Sequence, residues 1–406
     1  MRDLPDANLL IPGPTPLPPE VLEAMNRQMT NHRGPVFGDI MREVLDGLRE
    51  VFQTRNDILT FVASGTGGLE ASVVNIFSPG DRALSVSNGS FCERWAEMAE
   101  RYGARVDRVS APWGQRVPVE EVAARLKADT AGEYRAVLVT QSETSTGVHN
   151  DVRAIREAMG RHPALLMVDG ISGIGAIPIE TDAWGVDVAV TASQKALMSP
   201  PGLAFLSVSD RAWAAAERAT TPRFYLDFVR ARNAAKLANP STPFTTAVTV
   251  AYAVQAAVRL IRKEGLQHVF ARHRRMAQLT RAGVRGMGLE PLVDDASAVH
   301  TVTTVRMPKD IDSQKVVAHA RDRYQVLIGN GIGKLEHDIV RIGHLGYMKP
   351  EWLLGGLEAL GKTLGDLGHP VRTQDGVRAA NDALKAGVDD MVAGESAGRR
   401  SAGAVG

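Results

Sequence analysis

The chain has little cysteine and no excess of one charge, and each shortage argues against a class of protein. Its 406 residues include a single cysteine, Cys92, so no disulfide can form within the chain and a cysteine-based metal site is not expected. Lysine and arginine number 47 and aspartate and glutamate 46, so the basic excess of a nucleic-acid-binding protein is missing. The cysteine content also favours a reducing, cytoplasmic environment.

Long apolar runs are missing as well. The sequence has no run of the roughly 18 apolar residues that a membrane-spanning helix needs. The N-terminus, MRDLPDANLLIPGPTPLPP, has two early aspartates and no apolar signal-peptide segment. The sequence therefore predicts neither a membrane partner nor a secretory leader. With 44% hydrophobic and 23% charged residues, the composition is that of a globular protein, and the length suggests two or three domains.

Over the first 245 residues, short apolar runs alternate with stretches of helical periodicity. The runs that we interpret as strands are Ile58–Ala63, Ala83–Ser87, Arg105–Val109, Ala136–Thr140, Ala164–Val168, Val186–Thr191 and Leu203–Val208. Short apolar strands separated by helices form parallel sheets that are covered on both faces. The sequence therefore predicts an α/β fold with a mostly parallel seven-stranded sheet.

The rest of the sequence divides the chain further. Residues 12–19 contain too much proline for a helix or a central strand and predict an extended arm. After residue 245, two long helical patterns precede strand-like runs at Val302–Arg306 and Ile339–Ile342, as in a smaller α+β domain. The C-terminal GESAGRRSAGAVG has almost no large apolar side chains. The predicted parts are an N-terminal arm (1–20), a large domain (21–245), a small domain (246–366) and a disordered tail (367–406), in which a short helix near Val377–Val392 stays open.

A glycine-rich turn follows the first strand of the large domain. Ser64-Gly65-Thr66-Gly67-Gly68 leads into a helical pattern, so free backbone N–H groups and the positive end of a helix dipole meet there. This arrangement suits a phosphate, although it is not a Walker A loop because no Lys-Ser/Thr follows. Taken alone, the turn is more often a plain connection between strand and helix.

Two ionisable residues follow later strands. Asp169 comes directly after an apolar strand and is either a helix cap or a functional carboxylate. Lys195 lies among small apolar residues and is either a surface lysine with a buried stem or a desolvated amine suited to a Schiff base. Ligands of parallel α/β sheets bind beyond the carboxyl ends of the strands, where both residues are expected.

Two further features are ambiguous in isolation. The loop Gln141–Val148 carries several hydroxyls and one carboxylate and is either a plain loop or a polar binding rim. Arg341 interrupts an apolar strand and is either a surface residue or a clamp for a carboxylate. The glycine-rich turn, Asp169 and Lys195 are more specific in combination than each is alone. Pyridoxal phosphate needs a phosphate cradle, a lysine for its aldehyde and a carboxylate for its ring nitrogen.

These motifs, in this order, resemble the class V pyridoxal-phosphate aminotransferases. The matching pieces are Gly-Thr-Gly-Gly, Glu-Thr-Ser-Thr-Gly-Val, Val-Asp-Gly-Ile-Ser, Ser-Gln-Lys-Ala and Val-Arg-Ile-Gly, and the resemblance runs from Leu10 to about Leu364. It is closest to the alanine/serine–glyoxylate (or pyruvate) aminotransferase group. The resemblance implies fold-type I architecture and a homodimer with shared active sites.

The resemblance also implies a role for individual residues. Lys195 would form the Schiff base, Asp169 would pair with the pyridine nitrogen, and Arg341 would clamp the substrate carboxylate. The other implied cofactor contacts are Thr66, Gly67, Gly68 and Gln194 at the phosphate, Ile171 and Phe91 at the ring, Thr144 near the ring oxygen, and Thr245 at the phosphate of the neighbouring subunit. Phe91 also fits a core aromatic residue. Thr242 is a departure, since close relatives often carry tyrosine there.

The implied reaction is pyridoxal-phosphate-dependent transamination between a small amino acid, alanine or serine, and a 2-oxo acid, glyoxylate or pyruvate. The alternatives are a lyase with the same cofactor, or a transaminase for another amine such as aspartate, pyridoxamine or an aminophosphonate. A non-catalytic binding protein of the same fold and a nucleotide-dependent oxidoreductase rank lower. A cysteine desulfurase is rejected, because its thiol lies on a loop in the later part of the chain whereas Cys92 lies in the large domain.

Overall fold

The structure is a computed structural model and describes residues 8–386. Within this range the strands are β1 (Asn8–Leu10), β2 (Asp57–Phe61), β3 (Arg82–Ser87), β4 (Arg105–Ser110), β5 (Tyr134–Thr140), β6 (Ser142–Glu143), β7 (Val148–His149), β8 (Leu165–Asp169), β9 (Val188–Ala192), β10 (Ala204–Val208), β11 (Val302–Arg306), β12 (Val326–Asn330) and β13 (Ile339–Gly343). The helices are α1 (Pro19–Met25), α2 (Pro35–Phe52), α3 (Gly65–Ile76), α4 (Ser90–Arg101), α5 (Val119–Ala128), α6 (Val152–Met159), α7 (Asp210–Ala216), α8 (Phe228–Ala235), α9 (Val248–Glu264), α10 (Leu266–Gly286), α11 (Ser313–Tyr324) and α12 (Pro350–Asp366).

The large sheet has seven strands in the order β2-β10-β9-β8-β5-β3-β4. Strand β10 runs antiparallel to both of its neighbours, and the other pairings are parallel. The mostly parallel seven-stranded sheet predicted from the sequence is therefore confirmed. Because β8 and β9 are parallel neighbours, the residues that follow their carboxyl ends meet at one edge of the sheet.

Helices cover both faces of this sheet. One apolar cluster joins α2, α5, α6 and α9 to one face, and a second joins α3, α4, α7 and α8 to the other. The strands β8, β9 and β10 are buried along their whole length, as expected for strands covered on both sides. The sheet is thus a rigid support for the loops at its carboxyl edge.

Several helices begin at a side chain that accepts a hydrogen bond from the first turn. Asp151, Ser209 and Asp227 accept such bonds at the starts of α6, α7 and α8. Helix α3 differs, because Ser64 at its start makes no side-chain bond to the first turn. The first N–H groups of α3 are therefore available to another partner.

A smaller sheet has the order β1-β12-β13-β11. Strand β1 pairs in parallel with β12, so the N-terminal segment that the sequence predicted as an arm is tied into the second sheet. The predicted boundary at residue 245 also differs from the packing. Helix α9 lies against α1 and α2, and its Tyr252 and Val258 belong to the core of the large domain.

The predicted disordered tail is wrong for its first part. Residues 373–386 are helical, and Ala380 is fully buried in the apolar cluster of the small domain. The packing is close because a Cβ at Gly286 would lie only 2.9 Å from the Cβ of Ala379. Small residues on both helices, rather than large apolar ones, thus make this contact, and composition alone gave no sign of it. Residues 387–406 lie outside the described range.

Among the residues that the structure describes, no helix combines the length and apolarity needed to cross a membrane.

Candidate active site

A cavity of about 180 Å³ lies at the carboxyl edge of the large sheet. Its lining residues come from the starts of α3 and α4 and from the segments that follow β5, β8 and β9. They are Ser64, Gly65, Thr66, Leu69, Phe91, Arg94, Ser142, Thr144, Asp169, Ile171, Ser172, Gln194 and Lys195. Segments far apart in sequence therefore converge on one site.

Asp169 ends β8 and is almost completely buried, with 4% of its surface exposed. Its Oδ1 accepts a hydrogen bond of 2.9 Å from the backbone N–H of Ile171. Burial raises the pKa of this carboxyl to about 7, and the bond from Ile171 opposes the shift only partly. A nearby cation would be needed to keep Asp169 ionised at neutral pH.

Lys195 lies three residues beyond the end of β9. Its Nζ donates to the carbonyl oxygen of Pro12, and its backbone oxygen accepts a bond of 3.2 Å from the hydroxyl of Thr15. Burial, followed by the charge of Arg341, lowers the pKa of the Lys195 amine to about 8, while Asp169 acts in the opposite direction. An amine in this state supplies more of its neutral, nucleophilic form near neutral pH than an exposed lysine does.

The start of α3 faces the same cavity through Gly65 and Thr66. The N–H of Gly68 donates to the carbonyl of Ser64 at 3.2 Å. The N–H groups that have no acceptor within the helix are therefore those of the residues before Gly68. Gly68 packs against the sheet instead, because a Cβ there would lie 2.9 Å from Val190. The N–H groups of residues 65–67 and the Thr66 hydroxyl are therefore the donors at this helix start that are suited to bind an anion.

Glu143 fixes the start of α4, on which Phe91 lies. Its Oε2 accepts bonds from the N–H groups of Phe91 (3.1 Å) and Cys92 (3.0 Å), and its Oε1 accepts from Ser145. A carboxylate at a helix start is favourable for the helix dipole. The guanidinium of Arg94 lies 4.8 Å from the centre of the Phe91 ring, at the rim of the cavity.

Hydroxyl groups form a connected chain along one wall. The Thr144 hydroxyl lies 2.7 Å from that of Ser172, which donates to Ser142 Oγ at 3.0 Å. Ser142 Oγ in turn lies 3.0 Å from Thr301 Oγ1 in the small domain. This chain of hydrogen bonds holds the β5–β6 segment in place and presents hydroxyls to a polar ligand.

Arg341 reaches this wall from β13 of the small domain. Its Nε donates to the carbonyl of Asn330 at 2.6 Å and its Nη1 to the carbonyl of Thr144 at 3.3 Å. Burial lowers the pKa of its guanidinium to about 10, so the group is still cationic at neutral pH. A partly buried cation held by backbone oxygens is suited to bind a carboxylate.

The structure thus brings most of the predicted residues together, and Thr245 is an exception. Lys195, Asp169, Thr66, Phe91, Thr144, Ile171 and Gln194 line the cavity. Arg341 contacts the wall beside it, and Gly67 and Gly68 lie within the first turn of α3. Thr245 is exposed and does not line the cavity.

Other residues of the site were missed by the sequence reasoning. Arg94 lines the cavity but lies within α4 and matches no motif named above, whereas Ser172 lies in the Val-Asp-Gly-Ile-Ser motif and was given no role of its own. Gly13 is a third case, because its φ of +110° and the approach of Lys195, whose Nζ would lie 2.7 Å from an added Cβ, both favour glycine. The proline-rich sequence around Gly13 was a signal for an irregular segment but not for its position against Lys195.

Comparison with known proteins assigns the family. The family Aminotransferase class-V matches residues 7–333. The L-aspartate–glyoxylate aminotransferase of Paracoccus denitrificans (strain Pd 1222) is 39% identical over 92% of this chain and 95% of that protein. The serine–glyoxylate aminotransferase of Arabidopsis thaliana is 36% identical over 93% of this chain and 95% of that protein. A protein of Synechococcus sp. (strain PCC 6716), named soluble hydrogenase, small subunit, is 39% identical over 93% of this chain and 98% of its own length.

A solved structure leads to the same assignment. The crystal structure of ureidoglycine–glyoxylate aminotransferase from Bacillus subtilis superposes with a TM-score of 0.89 at 30% identity, covering 95% of this chain and 99% of that one. The architecture is therefore that of the fold-type I enzymes. The chain belongs to the class V aminotransferase family, whose members are pyridoxal-phosphate-dependent enzymes.

The residues around the cavity fit pyridoxal 5′-phosphate. The site offers a partly buried amine at Lys195, a buried carboxyl at Asp169 that forms no ion pair with any residue the structure describes, and the open start of α3. The buried Oε1 of Gln194 also has no hydrogen-bond partner among the described residues. An aldehyde, a basic ring nitrogen and a phosphate are the groups that these features would complement.

Proposed function

We propose that this chain binds pyridoxal 5′-phosphate and transfers the amino group of a small amino acid, alanine or serine, to glyoxylate or pyruvate. The observation that carries this proposal is the convergence of Lys195, Asp169 and the start of α3 on one cavity, with Arg341 beside it. The names of two similar aminotransferases, which differ in their amino donor and share glyoxylate, support the acceptor more strongly than the donor.

When bound, the cofactor supplies an aldehyde that takes up amino groups and a ring that withdraws electrons from the substrate Cα. Lys195 Nζ would hold the aldehyde of the cofactor. Its lowered pKa suits the same Nζ to act as a general base and acid for the substrate Cα proton. Asp169 would keep a proton on the ring nitrogen. The positive charge of that protonated nitrogen would offset the cost of burying the ionised Asp169 carboxylate.

The other residues orient the reactants. The N–H groups at the start of α3, together with Thr66 and Gln194, would anchor the phosphate. Phe91 would stack on the ring and Ile171 would lie close to it, while the Thr144 hydroxyl would lie near the ring oxygen. Arg341 would bind the carboxylate common to both substrates, which explains how one cavity could serve an amino acid and a 2-oxo acid.

We further propose that the protein acts as a cytoplasmic homodimer with shared active sites. Support for a dimer comes from the exposed position of Thr245, beside the exposed aromatic residues Phe224 and Tyr225 on the surface of one chain. Thr245 would reach the phosphate held by the neighbouring subunit. The cytoplasmic location is supported by the single, unpaired cysteine.

A panel of amino donors tested against both acceptors would decide the reaction. With an amino acid alone, a transaminase stops after one half-reaction and leaves pyridoxamine phosphate, whereas a lyase continues to turn over. With glyoxylate or pyruvate added, the expected result is sustained formation of the donor's 2-oxo acid. Lys195→Ala is expected to abolish turnover and the borohydride-dependent attachment of the cofactor to this chain, and normal transamination by that variant would refute the assignment.

A further inference from the structure

Helix α10 connects the two apolar cores and carries a polar pair between them. Near its start, Val269 packs in the core of the large domain, and beyond its middle Met276 and Leu279 pack in the core of the small domain. Arg272 and His273 lie between these two contacts. They therefore occupy the junction of the domains, although no motif identified them.

Both residues bind the backbone of Gly346. The Gly346 N–H donates to His273 Nε2 at 2.9 Å, and Arg272 Nη1 donates to the Gly346 carbonyl at 2.7 Å. His273 Nδ1 lies 2.7 Å from the carbonyl of Val269, which can only accept, so the ring proton is on Nδ1 and Nε2 is an acceptor. The remaining guanidinium nitrogens of Arg272 bind both carboxylate oxygens of Glu264, at 2.7 and 3.0 Å.

Gly346 is packed directly against the backbone of Lys195. A Cβ on Gly346 would lie 3.1 Å from the carbonyl oxygen of Lys195 and 3.1 Å from the hydroxyl of Thr15, which donates to that same oxygen. Gly346 also has a φ of +72°, which disfavours any other residue. It follows β13, the strand of Arg341, by three residues. Gly346 is thus the point where the strand of the carboxylate-binding arginine touches the lysine turn.

We propose that Arg272 and His273 are positioning residues that hold both backbone polar groups of Gly346 and thereby fix Lys195 relative to Arg341. This inference rests on the proposed roles of Lys195 and Arg341. Neither Arg272 nor His273 lines the cavity, so each acts through Gly346. Because α10 belongs to both cores, the two residues also fix the relative position of the domains at the site.

The hydrogen bonds of Arg272 and His273 to Gly346, called the clamp below, do not change with pH near neutrality. Burial lowers the pKa of His273 to about 3, and the neighbouring charges of Arg272 and His300 act in the same direction. His273 is therefore neutral and its Nε2 accepts throughout. The groups that act on Lys195 are Arg341, which lowers its pKa, and Asp169, which raises it, in addition to burial. Losing the clamp would admit water beside Lys195 and let its pKa rise toward the ordinary value.

The test compares His273→Leu, which removes the acceptor for Gly346, with His273→Gln, whose amide oxygen can replace it. Thr280→Val is the matched control, since it removes a buried hydrogen bond of 2.7 Å within the same helix away from Gly346. Arg272→Lys keeps the positive charge but loses the planar guanidinium that binds both Glu264 oxygens together with the Gly346 carbonyl. For each full-length variant we would titrate the absorbance of the bound cofactor against pH. We would also measure the pH dependence of Lys195 acetylation in the cofactor-free protein by mass spectrometry.

The clamp predicts that His273→Leu raises the midpoint of Lys195 acetylation by about one pH unit, a tenfold loss of reactive amine at a given pH below it. We expect a parallel shift in the absorbance titration and a higher KM for both substrates, with Arg272→Lys intermediate and His273→Gln close to wild type. Thr280→Val should lower the melting temperature without moving the midpoint. An unchanged midpoint in His273→Leu, with thermal destabilisation like that of Thr280→Val, would overturn the proposal.

The two proposals fail in distinguishable ways. Wild-type protein that does not bind the cofactor would refute the proposed function, while the acetylation midpoints would still test the clamp. If His273→Leu does not fold, Arg272→Lys and His273→Gln still provide the comparison. Equal midpoints in Arg272→Lys and wild type would then count against the clamp.

Discussion

At the scale of single residues, burial shifts the pKa values of the two central ionisable groups of the site in opposite directions. It raises the pKa of Asp169 to about 7 and lowers that of Lys195 to about 8, so burial shifts each group toward its neutral form. The proposed cofactor would resolve this cost, because its ring nitrogen would pair with Asp169 and its aldehyde with Lys195. Burying these two groups therefore lowers the stability of the cofactor-free chain, although both groups are needed for the proposed function.

This conflict predicts a pH-dependent effect of Asp169→Asn on stability. Between about pH 4 and 7 the folded cofactor-free chain retains a proton on Asp169 that the unfolded chain has released, so the free energy of unfolding falls as the pH rises. Asparagine does not titrate, so Asp169→Asn should gain stability relative to wild type across this range, by an amount on the order of a few kcal/mol. Urea unfolding of both proteins at several pH values would measure it.

Cofactor binding supplies the control for this prediction. In protein loaded with pyridoxal 5′-phosphate, ionised Asp169 has a partner, so the advantage of the variant should shrink or reverse. The same substitution should lower kcat by about 10²–10³, the usual cost of removing a well-placed electrostatic partner. Parallel stability curves for the two cofactor-free proteins would contradict the pKa assignment.

Arg341 offers a second prediction at this scale. Arg341→Gln removes the cation and should reduce kcat/KM roughly 10–100-fold for the amino donor and for the 2-oxo acceptor alike, since both carry a carboxylate. Arg341→Lys should lose less than the glutamine variant. Steady-state kinetics with both substrates measures the effect, and Arg306→Gln, at an exposed end of β11 in the same sheet, is the control. A loss confined to one substrate would contradict a shared carboxylate clamp.

The candidate residues could be predicted where they follow strands. Asp169 and Lys195 lie just past β8 and β9, and the parallel order of these strands brings them together. Gly13 could not be found in this way, because its position against Lys195 depends on how the N-terminal segment packs, which no local pattern encodes. Ser172 follows β8 at the same spacing, but its role in the hydrogen-bonded wall with Ser142 could be seen only in the structure.

At the scale of elements, strands with continuous apolar runs were predictable and short strands in the second sheet were not. The predicted runs Ala136–Thr140 and Val302–Arg306 correspond closely to β5 and β11. Strands β1 and β12 were missed, because the former has three residues and the latter ends in a glycine-rich segment. They become strands through pairing with each other, which is a tertiary effect.

The contact between α2 and α9 gives a prediction for this scale. A Cβ on Gly47 would lie 1.9 Å from Cγ1 of Val258, which is fully buried. Gly47→Ala should therefore push the two helices apart and destabilise the protein by about 1–3 kcal/mol, despite the higher helix propensity of alanine. Adding Val258→Ala removes the clashing methyl groups. The double variant should be more stable than the sum of the two single effects implies.

Chemical denaturation of the four proteins in this cycle measures the coupling between Gly47 and Val258. Catalysis should change little in any variant that folds, because neither residue lines the cavity. Strict additivity would show that the helices adjust without strain.

At the scale of the whole molecule, one chain supplies nearly all of the proposed site but leaves Thr245 on its surface. The segment after β1, the small domain and the large sheet all contribute residues around Lys195 within a single chain. Thr245 was assigned to the phosphate of a neighbouring subunit by resemblance, and sequence periodicity cannot indicate such a contact. Its exposed position beside Phe244, whose ring stacks on Tyr225 at 4.9 Å, is compatible with that role.

Subunit complementation tests whether the sites are shared. Lys195→Ala inactivates the site that its own chain builds, whereas Thr245→Glu would place a negative charge against the phosphate held by the partner subunit. In a hybrid dimer of the two variants, one site carries both lesions and the other carries neither. Random pairing on co-expression should therefore restore about a quarter of the wild-type activity, although each parent is inactive. If each site were built by one chain alone, every site in the hybrid would carry one lesion and the mixture would be as inactive as its parents.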